Sequence, residues 1–188
     1  MRWLVLSVTT LIGCSSTMAA DDQAPIDAAG GTGGEPAELA GITAAHNRVR
    51  AMTDTATALV PLVWDDALAA TAAAWVAQCK DADGNGLVDH NDGRSAGHPY
   101  YVGENTYASS GTATGPGAVG AWAGELAHYH YDTNACDSGQ DCGHYTQIVW
   151  RTTTALGCAL ATCRGLAYPS SIVCDYGPGG NVNNAKPY

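Results

Sequence analysis

The sequence predicts a single α+β domain that is stabilised by disulfides. Three segments with helical periodicity precede three segments with strand character, and this order favours an α+β sandwich over a parallel doubly wound sheet. Of the 188 residues, 46% are apolar, which is enough for one hydrophobic core but hardly for two. Beyond the amino-terminal region the cysteines form an even set, as they do in exported disulfide-bonded domains.

Three helices are predicted from apolar residues that recur on one face. The first covers residues 39–52 and carries His46 on its apolar face, the second begins behind Asp65, and the third follows Gly115-Pro116. The residues expected to face the core are Leu39, Ile42, Val49 and Met52 in the first helix, Leu68, Ala72, Trp75 and Cys79 in the second, and Val119, Trp122, Leu126 and Tyr129 in the third.

Three strands are predicted in the last part of the chain. Residues 142–151 alternate, so that His144, Thr146, Ile148 and Trp150 would share one face of a strand. Two apolar runs, 156–161 and 171–176, complete an antiparallel set.

Residues 1–14 are predicted to be a signal peptide with a lipobox. Arg2 precedes an apolar run over residues 3–12, which is too short to span a bilayer of about 30 Å as a helix. The run ends in LIGC, which looks like a bacterial lipobox with Cys14 as the lipidated residue. The alternative is ordinary cleavage near Ala19 or Ala20, which leaves no lipid. We therefore expect an extracellular or cell-surface protein, anchored to a bacterial membrane through Cys14 or otherwise secreted.

Residues 15–37 are predicted to be a flexible linker to a domain over residues 38–188. Small and polar residues dominate this stretch, and such a composition buries too little apolar surface to offset the entropy of ordering. A flexible coil of this length reaches about 25 Å. A lipidated Cys14 would thus hold the domain close to a membrane surface.

The charge composition argues against a nucleic-acid partner. Lys and Arg total 8 against 18 Asp and Glu, which gives a net charge of -10, and the sequence contains no basic stretch. No later hydrophobic span follows the signal peptide, so we expect membrane contact only through the lipid anchor.

The spacing of the cysteines leaves their pairing open. The six that remain after Cys14 permit many pairings, and they are Cys79, Cys136, Cys142, Cys158, Cys163 and Cys174. A rival interpretation makes Cys158 and Cys163 half of a structural zinc site, but no second close pair has matching spacing.

Four polar residues stand out because they lie on, beside or shortly after predicted apolar segments. They are His46, Glu104, Glu125 and His144. Each histidine alone has a simpler interpretation as a core residue with satisfied hydrogen bonds, whereas carboxylates are seldom buried without partners. Spacing by itself does not bring the four together.

Four motifs in one order resemble the CAP superfamily, which includes cysteine-rich secretory proteins, antigen-five allergens and group-one pathogenesis-related proteins. The motifs are His46-Asn47-Arg48-Val49-Arg50, Gly103-Glu104-Asn105, the run GHYTQIVWR from Gly143, and the run CDYGPGGN from Cys174. The resemblance covers residues 38–188.

This resemblance implies a three-layer α-β-α sandwich with a central antiparallel sheet, the CAP or SCP fold, and a large open cleft. It implies that His46, Glu104, Glu125 and His144 form one cavity able to hold a zinc-like divalent ion on the imidazoles, with the carboxylates orienting the rings or holding a metal-bound water. The alternative is a purely structural arrangement of two His–Glu pairs. It also implies the disulfides Cys79–Cys163, Cys136–Cys142 and Cys158–Cys174.

Residues 81–92 depart from the family and look like an inserted calcium loop of the EF-hand pattern. The ligand positions are occupied by Asp81, Asp83, Asn85, the Leu87 carbonyl, Asp89 and Asp92, with Gly86 at the sharp turn. Asp92 replaces the longer bidentate glutamate, which predicts weaker affinity. The loop also replaces the region where the family commonly has a further histidine, and either His90 or His98 could be its counterpart. The alternative is a turn that binds nothing.

For function, the resemblance favours a non-enzymatic binding module for lipids, sterols or surface partners. The sequence has no Gly-x-Ser-x-Gly elbow, and oxidised cysteines are not nucleophiles. A metal-dependent hydrolase using the same four residues is the first alternative. An inert, disulfide-stabilised surface protein is the second.

Overall fold

The computed structural model describes residues 34–188. The predicted signal peptide, the lipidation of Cys14 and most of the predicted linker lie outside the described residues. This part of the chain forms four α-helices, α1 (Ile42–Met52), α2 (Asp66–Val76), α3 (Gly115–Gly124) and α4 (Gly143–Ile148), with short 3₁₀ turns at Ala37–Leu39 and Glu125–His128. The strands are β1 (Val63–Trp64), β2 (Gly103–Ser109), β3 (Tyr129–His130), β4 (Ala135–Cys136), β5 (Ala155–Thr162) and β6 (Ser170–Gly177).

The main sheet has the order β1-β5-β6-β2, and β3 and β4 form a separate hairpin. The central pairs β5–β6 and β6–β2 are antiparallel, while the two-residue β1 runs parallel to β5 and makes the sheet mixed. One face packs against α2, where Gly157 of β5 leaves no room for a Cβ beside the α2 backbone. The other face packs against α1, α3 and α4. The three-layer α-β-α sandwich is therefore confirmed.

Carboxylates accept hydrogen bonds at the amino-terminal ends of the first two helices. Asp65 accepts hydrogen bonds from the first free N–H groups of α2, as expected for an N-cap. Glu35 accepts bonds from Gly41 N and Thr43 N at 2.7 and 2.6 Å, at the start of α1. The folded domain therefore includes Glu35, which lies ahead of the predicted boundary at residue 38.

The prediction of a strand over residues 142–151 is wrong, because residues 143–148 form helix α4. Burial does not alternate there, since every residue from Tyr145 to Trp150 is buried. The Glu125 carboxylate accepts bonds from His144 N and Tyr145 N, which satisfies the first turn of the helix. A short apolar run carries no clear period, so this long-range contact decides the conformation.

Three further expectations also need correction. Strand β2 lies between α2 and α3, so the chain does not run through its helices first and its strands afterwards. Met52 and Leu126 were expected to face the core, but they are 79% and 52% exposed. Both lie where a helix ends, so the helical period no longer sets which way the side chain points.

All six cysteines within residues 34–188 form disulfides. The structure pairs Cys79 with Cys163, Cys136 with Cys142, and Cys158 with Cys174, which are the pairings that the family resemblance implies. Because Cys158 and Cys163 are both oxidised, neither supplies the thiolate that a structural zinc site needs. Within residues 34–188 no helix combines the length and the apolar character needed to cross a membrane.

Candidate functional site

A polar cleft of about 350 Å³ lies at the edge of the sheet where β2 meets α4. Its ionisable lining includes His90, Asp92, Arg94, Glu104, Asp141 and His144. Two of the four residues singled out from the sequence, Glu104 and His144, therefore line one cleft. Glu125 contacts His144 from behind, whereas His46 lies elsewhere.

His144 and Glu125 form a close pair. The Nδ1 of His144 lies 2.5 Å from Glu125 Oε1, and a carboxylate can only accept, so the ring donates its Nδ1–H. Glu125 Oε2 receives the two backbone N–H groups that begin α4. This carboxylate therefore fixes both the helix start and the orientation of the ring, and the His144 Nε2 has no hydrogen-bond partner among the described residues.

His90 and Glu104 repeat this arrangement on the opposite side of the cleft. His90 Nδ1 lies 2.6 Å from Glu104 Oε1, and the same oxygen accepts the Asn91 N–H at 2.9 Å. The Glu104 side chain is completely buried, while that of His90 is half-exposed. As at His144, the Nδ1–H is committed to a carboxylate, which leaves the Nε2 lone pair for another ligand.

Beneath Glu104 lies a second buried carboxyl group. Asp175 of β6 pairs in register with Glu104 of β2 and is fully buried. Burial, followed by the negative charge of Glu104, raises the pKa of Asp175 to about 8. Asp175 is a residue that the sequence analysis did not single out.

His46 is not part of the cleft, which corrects the prediction that it completes the cavity. Its Nδ1 donates to Ile42 O, and its Nε2 accepts from the Tyr176 hydroxyl, both at 2.8 Å. Asn105 Nδ2 in turn donates to the Tyr176 oxygen. Burial lowers the pKa of His46 to about 4, so the ring is neutral with both nitrogens occupied. It is the satisfied core histidine that was the simpler interpretation.

The donor atoms of the cleft suit a borderline divalent cation such as zinc. Two imidazoles, each oriented through Nδ1 by a glutamate carboxylate, are the nitrogen ligands that such an ion prefers. Glu125, Asp141 and His144 also offer ligand atoms that lie within 4.8 Å of one another. Oxygens of Glu104 and Glu125 already accept hydrogen bonds from the histidine rings and from backbone N–H groups. The groups that remain to bind an ion are His90 Nε2, His144 Nε2 and the exposed Asp141 carboxylate.

Sequence reasoning missed His90 and Asp141 as members of the site. His90 and His98 were the two possible counterparts of the family's further histidine, and spacing alone did not separate them. In the structure His98 bonds to Thr71 on α2 and stacks on Tyr100, away from the cleft lining. Asp141 had no signal of its own, since it lies in an exposed loop before α4.

The inserted loop brings together three of its predicted calcium ligands. Carboxylate oxygens of Asp81, Asp83 and Asp89 lie within 4.8 Å of one another. Asp81 Oδ1 is buried and has no hydrogen-bond partner. Asn85 bonds within the loop, its Oδ1 accepting from Leu87 N. Asp92, the predicted last ligand, is not in this group and lines the His/Glu cleft instead.

An apolar groove continues from the cleft along β2. It also measures about 350 Å³, and its larger side chains are Leu87, Tyr107, Trp122 and Tyr168. His144 lines both the groove and the cleft, so the two are neighbours. The groove is open to solvent along its length.

Comparison with known proteins agrees with this fold. The model of the family described as "CAP: Cysteine-rich secretory protein family" matches residues 43–176. Pathogenesis-related protein 1 of Arabidopsis thaliana is 41% identical over 144 residues, which are 77% of this chain and 78% of that protein. GLIPR1-like protein 1 of Bos taurus is 38% identical over 152 residues, 76% of this chain and 59% of that protein.

A solved structure is similar as well. Venom allergen-like protein 4 of Schistosoma mansoni aligns with a TM-score of 0.66 and 26% identity, and the alignment covers 82% of this chain and 95% of that one. The match of the family model spans most of the chain and includes the ionisable residues that line the cleft. The chain therefore belongs to the CAP, or cysteine-rich secretory protein, family.

Proposed function

We propose that this protein is an extracellular binding module whose cleft holds a divalent metal between His90 and His144. Three disulfides and a secretory family fit a protein that works outside the reducing cytosol. The observation that carries the metal proposal is the matched pair of His–Glu hydrogen bonds. Both rings have their Nδ1–H fixed by a carboxylate, which leaves the Nε2 atoms of two rings that line one cleft for a ligand.

Zinc titration calorimetry on chelator-treated protein tests this proposal. We expect about one zinc per chain, with binding lost in His90→Ala and in His144→Ala. The matched control is His46→Gln, which changes a histidine of the core and should retain zinc binding. If both cleft variants bind zinc as the wild type does, the two His–Glu pairs are structural and the proposal fails.

The proposed partner is a molecule at the surface of the domain, in keeping with the binding roles that the family resemblance implied. The apolar groove beside the cleft supports a lipid, a sterol or an apolar segment of a surface partner that lies along β2. Extraction and mass analysis of natively purified protein tests the lipid or sterol. A bound lipid that is lost in Tyr107→Glu, which puts a charge into the groove, supports this site.

Attachment to a membrane through Cys14 is a further part of the proposal. Cys14→Ser should move the protein from the detergent phase to the aqueous phase on phase partition. Equal partition of both proteins into the aqueous phase would contradict lipidation.

A metal-dependent hydrolase is the second candidate, favoured by the exposed Asp141 carboxylate beside His144, of which only Oδ1 accepts a hydrogen bond within the described residues, from Gly143 N. A carboxylate next to a metal ion can accept a proton from a metal-bound water. Zinc-dependent turnover on ester or peptide substrates that is abolished in Asp141→Asn and retained in Asp92→Asn would support it. Zinc binding without turnover favours the binding module.

We also propose that the inserted loop binds calcium through Asp81, Asp83 and Asp89. Three carboxylates repel one another unless a cation lies between them, and the unpartnered Asp81 Oδ1 is a ligand atom in need of one. Calorimetry with calcium should show binding that Asp81→Asn abolishes. Asp92→Asn is the control and should bind as the wild type does, because Asp92 lies in the other cleft. A wild type without binding heat would end this proposal.

A further inference from the structure

Beneath the cleft lie three buried oxygen atoms that have no hydrogen-bond partner within residues 34–188. They are Glu104 Oε2 and both carboxyl oxygens of Asp175. Both side chains are completely buried. A buried carboxylate oxygen without a donor is costly, so a cluster of three requires an explanation.

The sheet register places the two carboxyl groups side by side. Glu104 and Asp175 are direct partners in the antiparallel pair β2–β6, and such partners have Cβ atoms about 5 Å apart. The cost of two adjacent negative charges adds to the cost of the missing donors.

The surrounding elements offer no donor to Asp175. Arg94 lies near enough to favour its charged form, but its N–H groups go to Val102 O, Asn91 O and the Tyr101 hydroxyl. Helix α2, which packs on the same face of the sheet, buries only apolar side chains. The opposing residue on β5 is Gly157, which has no side chain.

We propose that Asp175 is a positioning residue that remains protonated at neutral pH and donates its carboxyl hydrogen to Glu104 Oε2. One proton then satisfies both carboxyl groups and removes their repulsion. Glu104 keeps its negative charge on the side that faces the cleft, where its Oε1 accepts from His90 and Asn91. Asp175 thus acts on His90 through Glu104, and this inference rests on the proposed metal-binding function in so far as His90 is a ligand.

The geometry also decides which carboxyl group carries the proton. Glu104 Oε1 receives two hydrogen bonds, and these stabilise its charged form. Asp175 receives none from the described residues, and its side chain is fully buried. Burial, followed by the charge of Glu104, raises the pKa of Asp175 to about 8, in agreement with this assignment.

Loss of the Asp175 proton should loosen the His90 side of the cleft. Two buried carboxylates would then repel each other, and the bond that holds His90 would lose its fixed acceptor. Above about pH 8, the zinc affinity of the wild type should therefore fall.

The test compares two variants of similar size. Asp175→Asn keeps an N–H donor for Glu104 Oε2 and does not titrate, whereas Asp175→Leu removes the donor. We expect zinc affinity within about threefold of wild type and no decline above pH 8 in Asp175→Asn. Asp175→Leu should lose about tenfold or more, as when the partner that orients a metal ligand is removed. Equal affinities and equal pH profiles in all three proteins would overturn the proposal.

Two measurements on metal-free protein test the protonation of Asp175 independently of zinc binding. Infrared difference spectroscopy at neutral pH should show a protonated carboxylic acid in wild type that is missing in Asp175→Asn. Nitrogen NMR should show His90 with a protonated Nδ1 in wild type and in Asp175→Asn, but exchanging tautomers in Asp175→Leu. If the infrared band is absent in wild type, the proposal is wrong even when zinc binds. If zinc does not bind but the band is present, only the metal function fails.

Discussion

Acidification should destabilise this protein through His46. The ring is fully buried, and burial lowers its pKa from the ordinary value of 6.5 to about 4. Between these values the unfolded chain binds a proton that the folded chain does not, so stability falls as the pH falls through this window. The difference between the two pKa values corresponds to about 3 kcal/mol, lost almost completely by about pH 4.

The variant His46→Gln isolates this contribution. Glutamine carries no proton to titrate, yet it offers an N–H donor for Ile42 O and an oxygen acceptor for the Tyr176 hydroxyl. Urea unfolding at about pH 7 and about pH 4 gives the free energy of unfolding of both proteins. All other titrating groups are shared, so they cancel when the two pH-dependent losses are subtracted.

We expect the wild type to lose about 3 kcal/mol more than His46→Gln between the two pH values. If the two proteins lose the same free energy, His46 is not a buried neutral ring. That result would also reopen its assignment to the core rather than to the metal site.

Three further predictions concern the stability of the fold. Replacing both Cys79 and Cys163 by serine should lower the free energy of unfolding by about 2 to 4 kcal/mol in urea titrations, because this disulfide has a sequence separation of 84. The disulfide Cys136–Cys142 has a separation of only 6. A smaller loss for Cys79–Cys163 than for Cys136–Cys142 would contradict the loop-entropy argument. Gly157→Ala should lower the free energy of unfolding by about 3 kcal/mol, measured by thermal unfolding, since the added Cβ would overlap the backbone of α2. An unchanged melting temperature would contradict the close approach of β5 and α2. Arg50→Met should lower the free energy of unfolding in urea by about 3 kcal/mol, because the buried guanidinium donates to the carbonyl groups of Val60, Ile148, Trp150 and Thr153. A change within experimental error would show that these carbonyl groups find other donors.

Local signals in the sequence were sufficient for the elements whose stability is local. The capping carboxylate of Asp65 and the apolar face that follows it predict α2, and the long apolar runs predict β5 and β6. The sandwich architecture was predicted from the resemblance of the motifs to the family. By contrast, β2 has few apolar residues and owes its conformation to pairing with β6, which no local pattern contains.

The candidate site shows the same division. His144 and Glu104 could be named because they belong to short conspicuous motifs, and Glu125 because it lies beside a predicted apolar helix face. His90 could not be chosen over His98, since the choice depends on which ring reaches Glu104 across the folded chain. His46 satisfied the same sequence criteria as His144, yet its nitrogens are consumed by Ile42 and Tyr176.

The sequence by itself determined the class of this protein, its disulfide-rich character, its family resemblance and the acidic loop, because each of these depends on residue types and on spacing along the chain. Only the tertiary structure decided which histidine faces the cleft, that α4 is a helix, and that Asp175 lies beneath Glu104. These features depend on hydrogen bonds and charges between residues far apart in the chain. The free energy of such contacts arises only when the fold brings the partners together and removes them from water.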